Sequence, residues 1–156
     1  MGLFNIFKKK AKNNYAIPET YVSQINYKGI LIEIDSNIDE SKEHLYEDYS
    51  VLKKEGIEKI IKDQFIPWVK GDEFKNKNDN LIYEGLKIYR IDYYYDDVNF
   101  DVINVHHSDI QKSGKVGTFT FAFESGNEYT ADMLESVAME IYVYKGEIIK
   151  IDRYIV

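Results

Sequence analysis

The chain has 156 residues, no cysteine, 14 tyrosines and a formal net charge of −7. That length suits one domain burying about two-thirds of its unfolded surface, and the missing thiols exclude disulfides, thiolate zinc sites and cysteine nucleophiles. An acidic body with Arg90 and Arg153 as its only arginines disfavours nucleic-acid binding, since it repels phosphate and offers few bidentate donors.

Residues 1–14 (MGLFNIFKKKAKNN) differ in texture from all that follows. Leu3, Phe4, Ile6 and Phe7 precede Lys8, Lys9, Lys10 and Lys12, the pattern of a short interfacial amphipathic helix. Membrane contact through Leu3, Phe4, Phe7, Lys8, Lys9 and Lys10 is one expectation, and a weak contact, because one short segment holds anionic lipid poorly. The myristoylation pattern is not met, as Ile6 stands where Ser or Thr is required. Setting the four lysines aside leaves 16 basic and 27 acidic residues in 13–156, a net −11 that attracts basic proteins. No run approaches the length of a spanning helix and no apolar h-region follows the lysines. The expected location is the cytoplasm, with the first segment able to touch the inner membrane face.

Two strands, 21–27 and 30–35, meet at Lys28-Gly29, the second alternating Ile30, Ile32 and Ile34 with Leu31, Glu33 and Asp35. Asn37 or Asp39 suits the cap of a helix, and Leu45, Tyr49, Leu52, Ile57, Ile60, Ile61 and Phe65 keep helical spacing. Gly56 either breaks this helix or weakens it. Pro67 stops it, and Trp68 packs back. Residues 71–80 form a polar loop around Phe74.

The remainder reads as antiparallel sheet. Segments 86–95 and 98–106 form a hairpin over Asp96-Asp97, with Tyr89, Ile91, Tyr93 and Tyr95 on one face opposite Val98, Phe100 and Val102. Gly114-Lys115-Val116-Gly117 lacks the spacing of a phosphate loop and its following helix, so it reads as a turn. Strand 117–124 points Phe119, Phe121 and Phe123 one way. Segments 135–144 and 147–154 close the sheet around Lys145-Gly146, and a three-residue turn there aligns Ile141 with Ile151, where a two-residue turn would meet Lys150. The expected fold is α+β: a single antiparallel β-sheet with one helical segment packed on one face, order β-β-α-β-β-β-β-β, as one domain over 15–156.

Few residues carry chemistry. In His106-His107-Ser108-Asp109, adjacent strand residues point to opposite faces, so the two histidines do not share a metal. His107 and Asp109 remain candidate ligands that need a third from elsewhere, His44 being on the helix. No metal and no cofactor is expected. Asp92 and Asp101 face each other across the first hairpin beside Arg90, an arrangement that serves acid–base work or an acidic docking spot. The run 92–97 (DYYYDD) must expose at least one ring, Tyr94. No nucleophile elbow or triad spacing occurs. Much of the tyrosine content also follows from AT-rich codons and strand preference.

In its acidic strands around 92–101, its closing segment 135–154 and its lack of catalytic motifs, the chain resembles the small acidic, tyrosine-rich α+β immunity proteins of low-GC bacteria. The resemblance implies a non-enzymatic protein-binding module, an immunity-type inhibitor of a basic toxin or enzyme. Its docking residues are expected at Asp92, Tyr94, Asp96, Asp97 and Asp101. Two alternatives stand beside it: a peripheral membrane protein anchored by residues 2–12, and a small enzyme or ligand-binding domain with a pocket in a curled sheet. Oligomeric state is not legible.

Overall fold

Two tight turns of the same kind sit near the two ends of the sheet. Lys28 and Gly29 have φ of 50° and 89°, and Lys145 and Gly146 have φ of 48° and 78°. Consecutive left-handed residues make the two-residue turn whose twist matches that of paired strands, and glycine takes its second position without strain. The computed structural model describes residues 20–35, 38–69, 86–106, 111–125 and 136–155. The expectations placed on the segment 1–14, on Asn37, on the loop 71–80 and on His107 and Asp109 lie outside these residues.

Strands β1 (Thr20–Tyr27) and β2 (Ile30–Asp35) form the first hairpin. Helix α1 (Ile38–Glu55) follows, with Asp39 in its first turn rather than at a cap. Gly56, at φ 90°, then breaks the helical path, which resumes as α2 (Ile57–Ile60), a π-helical turn over Ile61–Phe65, and α3 (Ile66–Val69). The expected stop at Pro67 is corrected: the helical path runs on to Val69, and Pro67 follows directly on the wider π-helical turn, in which the Ile66 N–H donates to the Ile61 carbonyl. Four strands complete the chain: β3 (Leu86–Asn99), β4 (Ser113–Ser125), β5 (Ser136–Tyr144) and β6 (Glu147–Ile155).

The six strands lie in chain order, β1 to β6. All neighbours are antiparallel except β2 and β3, which run parallel through Glu33–Asp92 and Ile34–Tyr93. This corrects the all-antiparallel expectation. A helical connection carries the chain back across one face before β3 begins, and such a crossover returns the next strand in the same direction. Past the Ile34–Tyr93 pair, the Tyr95 N–H donates to Ser41 Oγ of α1 at 3.2 Å, so the helix takes over where β2 ends.

The strand count is corrected too. Residues 98–106 do not form a second strand of a hairpin. β3 continues through Asp96-Asp97 to Asn99 and pairs with β4 along its length, while 101–104 turn away. Phe100, Val116 and Tyr142 form a small second core there with Val98, Ile103, Val105, Tyr144 and Ile149 around it. The GKVG segment is strand interior, not a turn. A Cβ on Gly114 would stand 2.7 Å from the Tyr144 ring and 3.1 Å from that of Phe100, so glycine here admits two rings to the backbone.

The main core lies between the helices and the inner sheet face: Ile32, Ile34, Leu45, Leu52, Ile91, Tyr93, Phe119, Phe121, Met139 and Ile141 are all buried. Phe65 stacks on Phe123 at 4.2 Å between ring centres. At these exposures each side chain contributes about 1.5–3 kcal/mol of transfer free energy. Of the three register shifts among the described strands, two set the facing of β3 and β6. One between Ile88 and Arg90 leaves Ile88 packed on the core and Tyr89 exposed, which corrects the expectation that Tyr89 shares a face with Ile91. In the other, the last hairpin opens with a two-residue turn, pairing Tyr144 with Glu147 and Val143 with Ile148. An extra residue in β6 then restores Ile141 opposite Ile151. The apolar pattern wins the register, through a bulge rather than a longer turn.

Candidate functional site

The outer sheet face carries a row of carboxylates. Reading across neighbouring strands, Glu33 stands beside Asp92, then Thr120, Glu140 and Asp152. Two of these neighbours, Glu33–Asp92 and Glu140–Asp152, oppose like charge to like charge, which destabilises a sheet unless something offsets it. Arg90 Nε offsets the first pair, 2.8 Å from Asp92 and 3.2 Å from Glu33. Tyrosines offset the second. Tyr142 and Tyr154 both donate their hydroxyls to Glu140, Tyr154 at 2.8 Å. Burial, then the bond to Glu140, raises both phenols above their ordinary range and holds them as donors.

Around this row the same face exposes Val22, Leu31, Tyr89 and Tyr154. Apolar groups scattered singly need no explanation, but exposed rings and aliphatic groups interleaved with carboxylates on one face suit a partner of complementary charge. Among the described residues the turn 100–105 covers only one end of the face, where Lys150 Nζ donates to the Ile103 carbonyl.

The expected docking residues divide. Asp92, Tyr94 and Asp96 fall on the outer face, all half-buried. Asp97 is exposed on the helix side, 3.6 Å from Lys115, and Asp101 lies in the 101–104 turn, its N–H donating to Asn99 Oδ1. Asp92 and Asp101 therefore do not face each other as expected; Asp92 pairs with Thr120 because β3 continues past 97. His106 is exposed, and among the described residues no three His, Asp or Glu side chains gather as a metal site.

The helix side holds a group that sequence reasoning missed. Asp48 of α1 is 7% exposed and accepts the Tyr93 hydroxyl at 2.6 Å. Gly117 makes this possible: a Cβ there would overlap Asp48 Oδ2 and stand 2.8 Å from the Tyr93 hydroxyl. Burial raises Asp48 to about 6, against the lowering pull of the Tyr93 bond and of His44, with Glu47 adding to the rise. Beside it His44 stacks on Tyr95, ring centres 3.9 Å apart. The signals were present: Asp48 lies at a core-facing step between Leu45 and Leu52, and a glycine inside a phenylalanine strand marks a close approach.

No helix among the described residues is long and apolar enough to cross a membrane. Comparison with family models, with curated proteins and with solved structures finds no match for the chain.

Proposed function

We propose that this protein is a non-enzymatic protein-binding module, of the immunity-inhibitor kind, that docks a basic partner on its outer sheet face. The observation that carries the reading is the row Glu33–Asp92–Thr120–Glu140–Asp152, in which like charges are kept side by side, half-buried, on one sheet face. Tyr94 and Tyr154 supply contact area with few rotors to freeze, and Tyr142 and Tyr154 hold Glu140 in place. Charge complementarity defines the partner as a protein presenting lysines or arginines, brought in by the net charge of −7.

The test uses the full chain, immobilised against a lysate of its own host, beside three variants: Asp152→Lys, Tyr154→Ala and, on the helical side of the sheet, Asp63→Asn. The reading requires one basic protein captured in near-equal amount by the wild type and by Asp63→Asn, and lost from the other two. Capture that all three variants retain would reject the outer face as the docking surface.

A further inference from the structure

On the side of the sheet opposite that docking face, an open cleft of about 450 Å³ lies between α1 and the turn end of β3–β6. Its charged and aromatic lining is Asp48, Glu47 and Asp97, the His44–Tyr95 stack, Tyr144, Lys115 and Lys145. We propose that this cleft binds an organic cation with N–H donors, a guanidinium or primary ammonium group, and that Asp48 is the carboxylate that accepts it.

Three observations carry the assignment. Asp48 is more than nine-tenths buried yet lines the cleft, and its bond from Tyr93 fixes the carboxylate in one orientation. Three carboxylates and two lysines line the cleft; Lys115 is already held by Glu40 at 3.2 Å and Asp97 at 3.6 Å, and Lys145 Nζ stands over the Tyr144 ring at 5.2 Å. Two aromatic rings, His44 and Tyr95, stand in the lining, and a planar cation gains from such π surface. Asp48 keeps its charge at neutral pH against its burial; the groups around it are Tyr93 and Tyr95 from β3, His44 and Glu47 from α1, and the Gly117 backbone from β4. An incoming cation removes that penalty, which a purely structural anchor for α1 would not need, since an amide accepts the Tyr93 bond equally.

The probes are methylguanidine, n-butylamine and an arginine-containing tripeptide, titrated at pH 7.5 into the ¹⁵N-labelled full chain, with sodium chloride at matched ionic strength as the control. Saturable amide shifts confined to residues around Asp48, Tyr95 and Lys115, weakened about tenfold or more in Asp48→Asn, are the expected result. A tripeptide that binds tighter than both small cations assigns the cleft to a basic side chain of a protein; equal binding assigns it to a free cation. Binding by the wild type must also fade as the pH falls through 6, which serves if Asp48→Asn does not fold. Shifts no larger than those from sodium chloride, or binding indifferent to both pH and Asp48→Asn, would overturn the proposal. Because the outer-face variants leave this cleft untouched, its failure and that of the docking reading are separate outcomes.

Discussion

Replacing Asp48 by Asn should make the protein more stable at neutral pH. In the folded chain this carboxyl titrates at about 6, against 3.8 for a free aspartate, with burial as the first cause. A folded pKa above the unfolded one means the native state binds the extra proton, so its contribution is favourable at low pH and is lost as the pH rises from about 4 to about 6. A gap of about two units corresponds to a swing of about 3 kcal/mol. Asn keeps an oxygen to accept the Tyr93 hydroxyl but cannot ionise, and its amide N–H groups enter a buried site at a cost of about 1 kcal/mol. Urea unfolding of both proteins at pH 4, 5, 6 and 7 isolates the effect, since every other titrating group cancels in the difference. The variant should be about 0.5 kcal/mol less stable at pH 4, where the unfolded carboxyl is already half ionised, and about 2 kcal/mol more stable at pH 7. Parallel stability curves, or a variant weaker at pH 7, would refute the assignment of Asp48 as a buried, ionised group.

Other perturbations test the neighbouring packing. Tyr93→Phe removes the hydroxyl that Asp48 accepts; it should cost about 2–3 kcal/mol at pH 7 and less at pH 4, as read by the same urea melts. Gly117→Ala puts a methyl where Asp48 Oδ2 now lies and should cost about 2–4 kcal/mol, a loss that pairing it with Asp48→Ala partly restores. Thr118 is fully buried and its Oγ1 has no hydrogen-bond partner among the described residues, so Thr118→Val should stabilise by about 1 kcal/mol in thermal unfolding. Gly146→Ala strains the turn at φ 78° and should lose about 1 kcal/mol, with the hairpin register unchanged by nuclear Overhauser contacts between Ile141 and Ile151.

Alternation and turn chemistry made most of the sheet legible. Ile30, Ile32 and Ile34, the Phe119–Phe123 stripe and the positions of the Lys-Gly turns lie as their patterns require, but the turn at Lys145-Gly146 has two residues where the pattern pointed to three. The parallel joint between β2 and β3 was not legible, since strand direction follows from the path of the connection and not from facing. Asp96-Asp97 misled because paired acids resemble a turn, whereas here they continue a strand whose partner lies beyond residue 112. Bulges hid in the same way: a bulge changes the phase of a strand without changing its composition, so Tyr89 read as inward. The carboxylate row needed the register of five strands before Glu33, Asp92, Glu140 and Asp152 came together, and only Asp92 could be singled out from local sequence. Asp48 stood on the apolar stripe of α1 in plain view, but its meaning depended on Tyr93 and Gly117, 45 and 69 positions away.

The proposed electrostatic docking on the outer sheet face is tested by the association rate with the captured partner across a salt series. Steered docking requires a rate that falls steeply with added salt, by about ten-fold or more between low and physiological ionic strength, and a weaker salt dependence for Asp152→Lys at the same face. A rate indifferent to salt, with Asp152→Lys associating as fast as the wild type, would contradict it.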